Sequence, residues 1–233
     1  LAQGHAADLM AANNVLAHVP DINDFTRGLK AALKPDGVIT LEFPHLMRLV
    51  EHIQFDTIYH EHFSYLSLHT VSRIFQTAGL RIWHVEELST HGGSLRVYGC
   101  HAQAPRQNTK TVDAMLDQEL ATGLQTLSTY TNFQSKADEV KNNLLDFLLS
   151  QKRAGKKVMA YGAAAKGNTV LNYGGVKPDL LSGVCDAALA KQGKYMPGSH
   201  IPILPPAALE RLRPDFVVIL PWNIATEVMA QQA

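Results

Sequence analysis

The sequence predicts an α/β protein in more than one part, and three observations carry that reading. Short apolar, β-branched runs alternate with helical periodicity up to about residue 105. The alternation then gives way to apolar residues recurring every three or four positions, and it resumes after Gly155. The expected organisation is one α/β domain over 1–105, a helical connector over 106–153 and a smaller parallel α/β domain over 154–233.

The elements follow in order. "DLMAANNVLAHV" opens as an apolar strand, and Asp21 caps a helix whose Ile22, Phe25, Leu29 and Leu33 keep 3.6-residue spacing. Pro35-Asp36-Gly37 stops that helix and feeds Val38 to Phe43, a run of the kind that buried parallel strands use. A helix is expected from near His69 or Thr70. "LRIWHVEEL" and "GSLRVYGC", joined only by Ser89 to Gly93, then read as two antiparallel strands finishing the sheet. In the connector, Val112, Leu116, Leu120, Leu124 and Leu127, then Phe133, Ala137, Val140, Leu144 and Leu148, mark one long or two shorter amphipathic helices. After Gly155 come "KKVMAYG", "LLSGVCD" and "PDFVVIL" as strands, with "AAAKGNTVLNY", "PPAALERL" and "WNIATEVMAQQ" as helices.

Composition excludes several classes. With 21 basic and 21 acidic residues in 233, no net charge attracts nucleic acid or an anionic membrane, so an anionic ligand must be held locally. Cys100 and Cys185 lie far apart in apolar runs and propose neither a disulfide framework nor a metal knuckle. No apolar run approaches the roughly 20 residues of a membrane span, and the chain reads as cytoplasmic. The opening "LAQGHAADLMAANNVLAHV" starts in mid-pattern, as though a domain had been entered halfway.

Four stretches could carry chemistry. "FDTIYHEHFSYLSLH", residues 55–69, places Tyr59, His60, Glu61 and His62 together. On a strand His60 and His62 would share a face; on a helix Tyr59 and His62 would. A histidine beside a carboxylate or phenol suits removal of a proton next to a carbonyl. His-x-His as a pair of metal ligands, and plain packing, are the other readings of the same residues; HExxH is absent. "AYGAAAKGN", residues 160–168, has Gly162, Lys166, Gly167 and Asn168 between a strand and a helix, which describes an anion cradle or a tight turn carrying a surface lysine. Asp186, 24 positions after Gly162, falls near where a ribose-binding acid would stand, or is an ordinary strand-end Asp. Lastly Glu42 and His45 close a strand where sheets collect ligands, and Lys194 lies in the polar loop "GKYMPGSHIPIL", which is either a binding loop or a crossover.

With these residues in view, the chain resembles the sugar C-methyltransferases that act on nucleotide-linked keto-deoxysugars. The resemblance rests on "LEFPHLMRLVEHIQFDTIYHEHFSYLSLHTV", "HGGSLRVYGC", "AYGAAAKGNTVLNY" and "GKYMPGSHIPIL", and it covers almost the whole chain. It implies the second half of a class I S-adenosylmethionine-dependent methyltransferase sheet joined by helices to a Rossmann-like domain. The family's zinc module with cysteine ligands and the first half of the donor domain have no counterpart in this sequence, so zinc is expected only in that module. By position, the resemblance assigns acid-base work to Tyr59, His60, Glu61 and His62, with His62 as the base and Tyr59 and Glu61 positioning it or the enolate. It also places Asn14 and His18 beside the methyl donor, and it implies a nucleotide-linked sugar, such as a thymidine diphosphate sugar, as partner. The physics of the glycine loop adds that the sugar's diphosphate would lie against residues 162–168 with Lys166. A nucleotide-sugar binding module without catalysis is the alternative expectation.

Overall fold

A computed structural model describes residues 6–232; the expected first residues of the opening domain, 1–5, and residue 233 lie outside the described residues. Internal contacts divide the chain into two compact units, one of residues 6–54 with 60–133 and one of residues 55–59 with 134–232. Each is mixed α/β.

The first unit opens with β1 (Ala7–Asn13), followed by α1 (Ile22–Ala32) and β2 (Leu33–Pro44), and β1 and β2 pair in parallel. The Asp21 carboxylate accepts from the Asp24 N–H at 2.8 Å and so fixes the start of α1. β2 begins earlier than the proline and glycine predict: Ala7 pairs with Leu33 and Leu9 with Val38, so residues 34–37 bulge out of the ladder. Beyond the bulge Ile39, Leu41 and Phe43 alternate onto one face and are fully buried, as a period of two requires.

Next come α2 (Leu46–Glu51), α3 (Leu68–Thr77), β3 (Leu80–Leu88) and β4 (Ser94–His101). The sheet order is β1-β2-β4-β3, with β4 antiparallel to both neighbours, and β3 and β4 form the expected antiparallel pair. Helix α3 presses Phe75 so close to β4 that a Cβ at Gly99 would lie 2.3 Å from the ring. Glycine there permits the contact.

The helical stretch divides between the units. α4 (Lys110–Ala121) gives Val112 and Met115 to the core of the first, while α5 (Phe133–Arg153) gives Leu148 to the core of the second. In α4 the inward face is Val112, Met115 and Glu119, and Leu120, assigned to the stripe by its spacing, is 60% exposed.

The second unit continues with β5 (Val158–Tyr161), α6 (Ala165–Tyr173), β6 (Val184–Cys185), β7 (Ile203–Leu204), α7 (Ala208–Leu212), β8 (Phe216–Ile219) and α8 (Ala225–Gln232). Its sheet is wholly parallel in the order β7-β6-β5-β8, so the strand order reverses between β5 and β8. Among the described residues no helix is long and apolar enough to cross a membrane.

Candidate active site at the carboxyl ends of the strands

In the first unit the polar groups gather where β1 and β2 end. Asn14 follows β1 in the left-handed region (φ 55°), which asparagine tolerates better than most residues, and its N–H donates to the Glu42 carbonyl at 2.8 Å. The Asn14 Nδ2 donates to His91 Nε2 at 3.0 Å. His91 is itself left-handed, with φ 56°. The Asn14 Oδ1 is buried without a partner among the described residues.

Glu42, on β2, is buried, accepting from the Thr90 hydroxyl at 3.0 Å and from Arg96 Nη2 at 2.9 Å. Arg96 lies opposite Glu42 in the β2–β4 register. Two donors therefore meet the cost of burying that carboxylate.

The histidine-rich segment is neither strand nor helix within the first unit. Residues 60 and 61 form an exposed turn, after which the Phe63 N–H donates to the Ala17 carbonyl at 2.8 Å. That bond brings His62 to His18: the two rings stand edge to face with centroids 4.8 Å apart, and Tyr65 lies beyond His62 at 6.2 Å. The structure thus joins two residues that the sequence had placed in different roles. His60 and Glu61, by contrast, are exposed.

His45 is buried away from this group. Its Nε2–H donates to the Glu119 carboxylate at 2.7 Å, with both side chains almost fully buried. Glu119 also accepts from the N–H groups of Leu68 and His69 at 2.5 and 2.9 Å, capping the start of α3. Burial works to raise the Glu119 carboxyl, but the His45 ring and the two backbone donors outweigh it and hold the group below its usual range. Glu119 escaped the sequence reading, although an acid seven positions after Val112 falls in phase with an apolar stripe.

The second unit has its own cluster around the glycine loop. Gly162 (φ 94°) leaves no room for a side chain, because a Cβ would lie 2.4 Å from the Pro221 ring; at Gly167 it would lie 2.8 Å from Leu220. Gly162 therefore serves the approach of the two loops that follow β5 and β8, and Gly167 the approach of α6 to Leu220. The Asp186 carboxylate accepts from the N–H groups of Ala163 at 2.7 Å and Ala188 at 2.8 Å, with Lys191 Nζ at 3.2 Å. An internal anion thus already engages the loop. Asn168, on α6, has its Oδ1 buried without a partner among the described residues, and Lys194 is exposed.

Lys166 points into a group that the sequence did not reveal. Its Nζ is 4.7 Å from the Trp222 ring centroid and 3.3 Å from Asn223 Oδ1. The Trp222 indole N–H donates to Asp56 Oδ2 at 2.7 Å, and Asp56 is 4% exposed. Burial pushes the Asp56 carboxyl up, opposed by the Trp222 bond and the Lys166 charge; burial likewise draws the Lys166 ammonium down, opposed by Asp56. Asp56 and Trp222 are 166 positions apart. Local pattern carries no signal of such a pair.

Among the described residues no group of three or more His, Cys, Asp or Glu side chains converges as a metal-ligand set. The Asn14 Oδ1 is a buried acceptor with no internal partner among the described residues, and it suits a ligand that brings its own N–H or O–H. Asn14 directly follows β1, and His18 closes the short 3-10 turn Leu16–His18 after it.

Comparison with known proteins gives the family. Residues 89–233 match the family model described as C-methyltransferase C-terminal domain, and residues 2–85 match one described as methyltransferase domain. Over 223 residues the chain is 36% identical to the C-methyltransferase NovU of Streptomyces niveus, covering 96% of this chain and 53% of that protein. The chain thus spans about half the length of the curated relative it matches. Two solved structures overlap part of it. The complex of the Haloferax volcanii Trm112 methyltransferase activator with a methyltransferase aligns at a TM-score of 0.36 and 13% identity, covering 41% of this chain and 54% of that one. Magnesium protoporphyrin IX methyltransferase from Synechocystis PCC 6803 aligns at 0.33 and 14%, covering 42% and 46%. By the match over residues 89–233, the chain belongs to the C-methyltransferase family.

Proposed function

We propose that this chain acts as the C-terminal portion of an S-adenosylmethionine-dependent C-methyltransferase, methylating the carbon next to the ketone of a nucleotide-linked keto-deoxysugar. The observation that carries the proposal is the placement of His62 against His18, at the carboxyl end of the β1–β2 pair. The NovU relationship supports the C-methyl chemistry.

In this reading His62 removes the proton beside the sugar ketone. A neutral imidazole is a competent acceptor near pH 7, and the edge-on packing of His18 and Tyr65 limits its rotation. Tyr59 and Glu61 position the base or the enolate oxygen. The bound donor supplies an electrophilic sulfonium methyl group. Asn14 and His18 hold and orient it, and the chain's remaining task is to align the enolate carbon and keep water from it. Lys166, in the first turn of α6, is the proposed partner of the diphosphate, since the Ala163 N–H of the loop is already taken by Asp186.

The experiment is transfer of labelled methyl from S-adenosylmethionine by the protein carrying a complete donor domain, offered thymidine diphosphate keto-sugars. Methylated sugar nucleotide supports the reading. Calorimetry separates the alternative: tight binding of the sugar nucleotide with no turnover and no donor binding would make this a nucleotide-sugar binding module.

A further inference from the structure

The strand order of the second unit reverses between β5 and β8, and the crevice beyond the carboxyl ends of such strands is where a parallel α/β sheet ordinarily takes its ligand. Here the loops that follow these two strands are packed together, Pro221 against Gly162, and Leu220 packs against Gly167 of α6. At the same place lies a carboxylate from the chain itself. Asp56, carried on the segment 55–59 that belongs to this unit, is buried against the Trp222 indole N–H at 2.7 Å. Phe55 adds a ring contact to Tyr173 of α6, with centroids 5.4 Å apart. Lys166 over the Trp222 face and Asn223 behind it complete the surround.

We propose that Asp56 and Trp222 form a positioning pair, in which the second unit grips residues 55–59 at its strand-reversal point and so fixes the backbone that runs directly into His60–His62. This rests on the reading of His62 as the base. Asp56 takes no proton from substrate; it acts through the chain that follows it. A neutral acceptor, or a ring without the N–H, loosens residues 55–59 and lets the base wander. A displacement of about 1 Å at a reacting group costs on the order of 100-fold in rate.

The test uses Asp56→Asn, Trp222→Phe and the double variant, in the protein carrying a complete donor domain. Trp222→Phe keeps the ring under Lys166 and serves if Asp56→Asn misfolds. Two readouts are taken: hydrogen exchange of the amides of residues 55–65, and kcat against KM for S-adenosylmethionine. Each single variant is expected to exchange about 10-fold faster over 55–65 while β5 and β8 keep their rates, and to lose about 10- to 100-fold in kcat at unchanged donor KM. The double variant should be no worse than either single one, because both remove one bond. Unchanged exchange over 55–65 overturns the proposal, and so does a wild-type kcat in a variant whose exchange has risen. If the wild-type protein proves inactive, the reading of His62 fails, and the exchange measurement still decides whether the pair grips the segment.

Discussion

The His62 ring stands edge-on to the His18 ring, with centroids 4.8 Å apart and an interplanar angle of 68°. Such an arrangement places one imidazole to hold the other in a narrow range of orientation. Replacing His62 by Ala is expected to lower kcat about 10²- to 10⁴-fold, the usual worth of a positioned base, with sugar-nucleotide binding retained. His18→Ala should lose less, and its loss should include the donor KM. Steady-state kinetics with both substrates varied checks the pair; equal kcat in His62→Ala and wild type would remove the base assignment.

Gly162 provides a second test. If its role is loop packing, Gly162→Ala strains both the backbone at φ 94° and the contact with Pro221, and the protein should lose about 2–4 kcal/mol of stability in urea denaturation. A variant of unchanged stability that fails only to bind nucleotide would instead assign the glycine to ligand approach.

The His45–Glu119 pair sets an acid limit on the first unit. The Glu119 carboxyl is held below its ordinary value, so its contribution is present above the unfolded pKa of about 4.3 and is lost as pH falls through the lower, folded value. Glu119→Gln should cost about 1.5–3 kcal/mol at pH 7, with the difference from wild type shrinking below about pH 4. Denaturation midpoints measured from pH 3 to 7 give the comparison. A constant difference across that range would contradict it.

Much of the fold is legible in local pattern. Asp21 caps α1 where its side chain and the following spacing indicate, and β5, β6 and β8 fall on the runs "KKVMAYG", "LLSGVCD" and "PDFVVIL". What pattern misses involves distance along the chain. The bulge at 34–37 appears only because β1 dictates the register of β2. His45 looks like a ligand-facing residue until Glu119, 74 positions on, takes its ring. The glycines at 162 and 167 have the spacing of an anion loop, yet their missing side chains make room for Pro221 and Leu220, which sequence cannot place there. The histidine-rich segment carries no clear period, and its course is set by backbone bonds to Ala17.

If His62 generates an enolate, proton exchange reports it without methyl transfer. The protein carrying a complete donor domain is incubated in deuterium oxide with a thymidine diphosphate keto-sugar and the demethylated donor product, and the carbon beside the ketone is followed by NMR. Deuterium should enter that position with the wild-type protein and not with His62→Ala. Equal incorporation by both proteins, or none with the wild type, would contradict the account.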